Sequence, residues 1–325
     1  SIASADLPLA VGPAMSTALI VLPACCTGLP MLVATLVSAH GQALVDEAML
    51  ARLASAVPGT RRTAMLDDAI AADLFADGTD ARKLEAELRI ALDGAPVDVI
   101  VQPEAGRRKA LFLADMDSTM IGQECIDELA AYVGLKDLVS AITERAMRGE
   151  IAFEPALRER VALLKGVPLA VVDEIIRERI TLTPGGYELV HTMRANGAYT
   201  ALVSGGFTVF TGPVGAAIGF DEHRSNLLLA QDGILIGEVA DPILGKQAKL
   251  DSLIELRRRF GLSPAQTLAI GDGANDLAML GEAGLGVAFR AKPAVAAAAD
   301  ARLEHADLTA LLYAQGYTGS EIVRR

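Results

Sequence analysis

The chain alternates between two kinds of hydrophobic pattern. Met31–Ala39 (MLVATLVSA) is short, continuous and rich in β-branched residues, which predicts a strand. Asp46–Val57 (DEAMLARLASAV) repeats its apolar positions at helical spacing. Ala69–Phe75 reads as a strand, although its alanines also suit a helix. Asp80–Leu92 reads as a helix with Asp80 as N-cap, and Val97–Gln102 as a further strand. Strand, helix, strand, helix, strand make a small α/β module ending near Gln102, followed by a polar linker, Pro103–Lys109.

Beyond the linker the pattern changes. Leu111–Ala114 is a buried strand that stops at Asp115, and residues 124–178 are almost wholly helical: IDELAAYV, LVSAITERAM and LRERVALL share one periodicity. Strands and helices then alternate again. Tyr199–Ser204 is a strand, NLLLAQDGILIGEV a hairpin turning at Asp232–Gly233, and KQAKLDSLIELRRRF a helix. Thr267–Asp272 and GVAF are strands. The result is a parallel α/β sheet with a helical insertion soon after its first strand. No internal repeat or low-complexity tract interrupts it.

Composition narrows the functional classes. The 325 residues suit about two domains. They are 52% hydrophobic and 22% charged, with a net charge of -12. No basic cluster interleaved with aromatics appears, which argues against nucleic acid as a partner. Cys25, Cys26 and Cys125 form neither a disulfide framework nor a metal-type spacing, as expected of a cytoplasmic protein. His40, His191, His223 and His305 likewise lack metal spacing. Leu7–Ala39 carries no charge and is long enough to span a bilayer, but prolines and glycines break it and no basic residue flanks it. Membrane insertion and a signal peptide are therefore disfavoured. Residues 1–30 read as a loose extension whose place in the native protein the sequence leaves open.

The chemistry lies at strand ends, where open α/β sheets bind ligands. Asp115/Asp117, Ser204–Gly205–Gly206 and GDGAND (Gly271–Asp276) all occupy such ends. Four carboxylates, of Asp115, Asp117, Asp272 and Asp276, would converge and repel unless a cation joined them, and hard oxygens suit Mg2+. Ser204 and the neighbouring glycine amides offer donors to phosphate oxygens. Asp-x-Asp can divide its labour: Asp115 attacks phosphorus, while Asp117 handles the leaving-group proton. Phosphate-monoester hydrolysis needs accelerations up to ~10²¹, and acid–base help supplies only about 10²–10⁴. Nucleophile, metal and positioning must provide the remainder.

In order, DMDST, SGG, a helix-borne lysine and GDGAND resemble the four motifs of the haloacid dehalogenase (HAD) superfamily of phosphatases. DMDSTMIGQECIDELA, ITERAMRGEIAFEPALRERVALLKG, VSGGF and AIGDGANDLAML are similar to the phosphoserine phosphatases of bacterial serine biosynthesis, over about Lys109–Leu312. The resemblance implies a Rossmann-like core with a helical cap at about 124–182 and hydrolysis of O-phospho-L-serine through an aspartyl phosphate. It makes Asp115 the nucleophile and Asp117 the acid/base. Mg2+ would sit on the side chains of Asp115 and Asp272 and the carbonyl of Asp117. Ser204, Gly205 and Lys249 would hold phosphate, with Lys246 as Lys249's competitor, and Asn275 and Asp276 would complete the site. Glu124 and Arg160 would take the substrate's ammonium and carboxylate, while Met147 and Phe153 close the pocket.

Each motif has a plainer reading alone. Asp-x-Asp is commonly a solvated loop, SGG a turn, Glu124 and Arg160 surface charges, and Phe153 core. Cys125 lacks an activating base and reads as a small buried residue. Two rival functions remain: a phosphatase or phosphotransferase acting on another small phosphorylated metabolite, and a non-catalytic amino-acid sensor. The intact carboxylates and lysine oppose the sensor. The domains are then 1–30, a loose extension; 31–102, resembling an ACT-type regulatory domain; and 103–325, the HAD phosphatase domain. The ACT-like unit could bind an amino acid, support a homodimer, or do neither.

Overall fold

The computed structural model describes residues 30–147 and 150–325, Met147 by its backbone alone. Apart from Pro30, the expected extension lies outside the described residues. Met31–Ser38 (β1) is followed by Glu47–Ala56 (α1), Thr60–Asp67 (β2), Ala71–Asp77 (β3), Ala81–Leu92 (α2) and Val97–Pro103 (β4). The order βαββαβ holds one strand more than the hydrophobic pattern predicts. That strand, β2, is the edge of an antiparallel sheet ordered β2-β3-β1-β4. Its exposed Arg61 and Arg62 and its half-buried apolar residues blur the alternation that would mark it. Elsewhere local chemistry is legible. Asp46 and Asp80 accept from the amides of Met49 and Lys83, caps worth about 1 kcal/mol each. Leu84, Leu88 and Leu92 form the stripe that α2 buries.

Leu111–Ala114 (β5) opens the second sheet and is buried on both faces. The chain then departs into Cys125–Tyr132 (α3), Lys136–Met147 (α4), Phe153–Ala162 (α5) and Ala170–Glu178 (α6), the expected cap. It returns through Gly186–Ala195 (α7) to Tyr199–Phe207 (β6), Thr208–Ile218 (α8) and Glu222–Asn226 (β7). The hairpin Leu228–Gln231 (β8) and Ile234–Val239 (β9) turns with positive φ at Asp232 and Gly233, as read from the sequence. Lys246–Arg259 (α9), Thr267–Gly271 (β10), Leu277–Glu282 (α10) and Leu285–Phe289 (β11) follow. Pro293–Ala298 (α11), Ala301–Leu303 (β12) and Ala310–Ala314 (α12) complete the fold; they are too short to leave a periodic trace in the sequence. No helix among the described residues is long and apolar enough to cross a membrane.

The second sheet is parallel throughout, ordered β12-β11-β10-β5-β6-β7. β5 lies between β10 and β6, so the connections around it run to opposite sides and a crevice opens beyond the carboxyl ends of all three. The cap is inserted at that crevice through two adjacent segments. Ile121 and Leu182 form an antiparallel bridge, and the amides of Gly122 and Thr183 donate to the carbonyls of Thr181 and Met120, both at 3.0 Å. The β8–β9 hairpin also joins the cap: the amides of Gly166, Leu235 and Leu169 donate to the carbonyls of Leu235, Val167 and Gly233, each at 2.8 Å.

The two sheets meet along a continuous seam. Val37, Ala71 and Ile100 share an apolar cluster with Leu311, Leu312 and Tyr313 of α12. Asp98, fully buried on β4, accepts from the amides of Glu304, His305 and Ala306 at 2.7–3.0 Å. The polar segment expected to be a linker belongs to this seam and is not a loose tether. Arg107 pairs with buried Asp73 at 2.7 Å, and buried Lys109 donates to the carbonyls of Gly106 and Ala265. Arg107 and Lys109 thus find partners within the protein, while Arg108 stays exposed.

Candidate active site

The carboxyl end of β5 places the first acid. The Asp115 amide donates to the Ile270 carbonyl at 3.0 Å, which fixes this strand end beside that of β10. One carboxylate oxygen of Asp115 accepts from the Met116 amide at 2.8 Å and from Lys249 Nζ at 2.7 Å. The backbone is extended at Asp117 and left-handed at Ser118, with φ 55°. This sharp reversal keeps the Asp117 carboxylate in the crevice, where one of its oxygens accepts from the Cys125 amide at the start of α3, at 3.3 Å. Left-handed serine is strained by roughly 1–2 kcal/mol. Its hydroxyl is put to use, donating to Glu124 Oε1 at 2.7 Å.

The β10 end supplies the other acids. Asp276 is fully buried and accepts from Lys249 Nζ at 2.6 Å and the Gly273 amide at 3.0 Å. Asp272 accepts from the Thr119 hydroxyl at 3.2 Å. Carboxylate oxygens of Asp115, Asp272 and Asp276 lie within 4.8 Å of one another. One lysine against three such groups leaves negative charge uncompensated, and an all-oxygen donor set fits a hard divalent cation. Lys249 and not Lys246 reaches the acids; Lys246 lines an outer groove beyond Phe153.

Electrostatics follow from this crowding. Burial, then the Glu124 charge, push the Asp117 carboxyl up to about 7, against hydrogen bonds from Cys125. Of these two causes burial is the larger. Asp115 is raised well above the usual carboxylate range by burial, which Lys249 only partly offsets. Asp272 is raised by burial and by Asp276. Burial pulls Lys249 down, but Asp115 and Asp276 outweigh it and hold the ammonium up at about 12. Protein surrounding Glu124 raises its carboxyl although solvent still reaches it, and the Ser118 hydroxyl opposes the shift.

A cavity of about 150 Å³ lies above these groups. Of the residues expected from the sequence, it brings together Asp115, Asp117, Glu124, Phe153, Arg160, Ser204, Gly205, Asp272 and Asn275. Lys249 and Asp276 are buried and do not line it; Lys249 pairs with both Asp115 and Asp276. The Met147 side chain lies outside the described residues. Among the described residues Arg160 donates only to the Ala156 carbonyl and, at 3.4 Å, to the Thr143 hydroxyl, and forms no ion pair. Burial pulls its guanidinium down from its usual range while Asp127 and Glu124 push it up. The Asn226 side-chain amide ties the Gly205 carbonyl to both backbone groups of Leu244, steadying the loop after β6. Sequence reasoning missed Ile126, Leu157 and Phe207 in the cavity wall, since apolar residues at helix and strand positions carry no mark of a binding role. It also missed Ser118 and Thr119, which act by hydrogen bonds whose partners only the fold reveals.

Known proteins resemble the chain in both sequence and fold. The sequence profile of the haloacid dehalogenase-like hydrolases matches residues 112–281. A phosphoserine phosphatase of Polaromonas sp. is 47% identical over 207 residues, 62% of this chain and 88% of the relative. The solved structure of a probable phosphoserine phosphatase from Vibrio cholerae superposes with TM-score 0.71 at 32% identity, covering 88% of this chain and 87% of that one. A HAD-family hydrolase from Salmonella enterica serovar Typhi gives TM-score 0.77 at 28% identity, covering 87% and 97%. Both structural matches extend into the antiparallel sheet.

Proposed function

We infer the reaction from one premise: the chain belongs to the haloacid dehalogenase-like hydrolase family. It is a phosphoserine phosphatase, releasing L-serine and phosphate from O-phospho-L-serine. The observation that carries this reading is the meeting of opposite charges in one small cavity. Asp115, Asp117, Glu124 and Arg160 all line it, and among the described residues Arg160 forms no ion pair. Phosphoserine presents a phosphate, an ammonium and a carboxylate. Glu124 complements the ammonium. Arg160 complements the carboxylate, for which its planar fork is suited. Ile126, Leu157, Phe153 and Phe207 shed water around the carbon skeleton between them.

In the first step a carboxylate oxygen of Asp115 attacks phosphorus and the bond to the serine oxygen breaks. Asp117 donates its proton to that oxygen, so serine leaves neutral at its hydroxyl. In the second step Asp117 takes a proton from water, whose oxygen attacks the acyl phosphate and frees Asp115 and inorganic phosphate. A pKa near 7 suits both directions of transfer at neutral pH. Ser204 and the Gly205 amide cradle the phosphoryl oxygens, Asn275 borders them, and Lys249 neutralises Asp115 as charge is redistributed. We assign Mg2+ to the side chains of Asp115 and Asp272 and the carbonyl of Asp117. When bound, it neutralises these acids and draws charge from the phosphoryl oxygens. A reaction that yields free serine for biosynthesis is best placed in the cytoplasm.

Phosphate release from phospho-L-serine tests this directly. Activity should require a divalent cation, disappear with chelator, and fall at least a thousandfold in Asp115→Asn. A chelator-treated enzyme with full turnover, or an active Asp115→Asn, overturns the reading.

A further inference from the structure

Thr183 belongs to none of the roles above, yet it supports the loop that carries several of them. It lies where the chain returns from the cap to the sheet, and it is buried. Its hydroxyl donates to the Thr119 carbonyl at 2.7 Å, and its amide donates to the Met120 carbonyl at 3.0 Å. Those two carbonyls close the irregular turn Met116–Met120, which contains the left-handed Ser118 and presents Asp117 to the cavity. Thr119 in turn donates its own hydroxyl to Asp272. The turn is further held by the Ile121 amide on the Met116 carbonyl at 3.1 Å and by the Ser118 amide on the Gln123 carbonyl at 3.2 Å, but neither bond touches the Thr119 carbonyl.

From this geometry we propose that Thr183 is a positioning residue for the cation site, acting through the Thr119 peptide. Its hydroxyl fixes the orientation of that peptide. That peptide belongs to the residue whose hydroxyl donates to Asp272, two positions along the turn from Asp117. Without the Thr183 hydroxyl, the Thr119 carbonyl loses a buried partner and the turn relaxes, so the oxygen donors no longer converge. Hydrogen bonds of this kind shift equilibria by about 0.5–1.5 kcal/mol, roughly a factor of two to ten. Because Thr183 also lies on the cap's return segment, the same contact ties the insert to the turn on which the chemistry depends. The proposal rests on the assignment of a divalent cation to Asp115, Asp117 and Asp272.

The test compares Thr183→Val, which keeps the shape and removes the hydroxyl, with Thr183→Ser, which keeps the hydroxyl. Binding of Mg2+ alone to the full chain is measured by calorimetry, and the Mg2+-induced rise in Tm beside it. Thr183→Val should bind Mg2+ about five- to tenfold more weakly, with KM for phosphoserine at saturating Mg2+ within twofold of the wild type. Thr183→Ser should restore wild-type Mg2+ affinity. A folded Thr183→Val with unchanged Mg2+ affinity overturns the proposal. So does a Thr183→Ser with weakened affinity, which decides the matter even where the valine variant fails to fold. Wild-type protein that binds no Mg2+ would instead overturn the cation assignment itself.

Discussion

At the scale of single residues, the groups we assign to catalysis are legible in the sequence because the proposed chemistry restricts which residue types serve and how far apart they stand. Asp115, Asp117 and Asp272 line one cavity, and Lys249 pairs with Asp115. Ser118 and Thr183 escape such a reading. Serine and threonine occur everywhere, and only the fold brings their hydroxyls to Glu124 and the Thr119 carbonyl. Arg160 should carry substrate selectivity. A charge-assisted hydrogen bond contributes about 1.5–3 kcal/mol. Arg160→Ala should therefore lower kcat/KM for phosphoserine at least tenfold while affecting phosphoethanolamine, which lacks the carboxylate, much less; equal losses on both substrates would count against the role. The crowded acids also set a pH dependence. In the metal-free site Asp117 titrates at about 7, and Asp115, Asp272 and Glu124 are also raised, burial being the first cause for each. Unfolding returns such groups to about 4. Between these limits the native state holds protons that the unfolded chain releases, so stability falls as pH rises from about 4 toward 7. In chelator, Tm should drop between pH 5 and pH 8 more steeply than in saturating Mg2+, where the cation compensates the ionised acids. Parallel curves would refute this.

At the scale of elements, long amphipathic helices and the Asp232–Gly233 hairpin are written plainly in the chain. Edge strand β2 and the short pieces α11, β12 and α12 are not. The first is disguised by arginines and the others are too brief to show a period. The stitching of the hairpin to the cap is also silent in sequence, since backbone groups some seventy residues apart make it. One glycine shows how tightly elements approach. Gly185, before α7, has φ +79°, and a Cβ there would lie 2.6 Å from the Thr309 amide nitrogen. Gly185→Ala combines left-handed strain with a backbone clash and should destabilise on the order of 3 kcal/mol. Denaturant unfolding should show it as a lower midpoint with an unchanged KM; a midpoint at the wild-type value would mean the segment moves aside freely.

At the scale of the whole molecule, the antiparallel unit is fused to the catalytic sheet by an apolar face and by Asp98. Nothing in a sequence pattern announces this, because Asp98 resembles any polar residue of a strand until its three amide partners are seen. Asp98→Ala removes the partner of three amides, of which that of buried Ala306 alone should cost roughly 1–3 kcal/mol. Tm should fall by several degrees while kcat at 25 °C stays near the wild type. An unaltered Tm would show that water or relaxation replaces the carboxylate. The cap has the opposite relationship to the sheet. It departs at Ile121 and comes back at Leu182, paired side by side. A graft between two such neighbouring points asks only that its own ends meet. The insert can therefore be lengthened, shortened or replaced without parting any strand of the sheet beneath it.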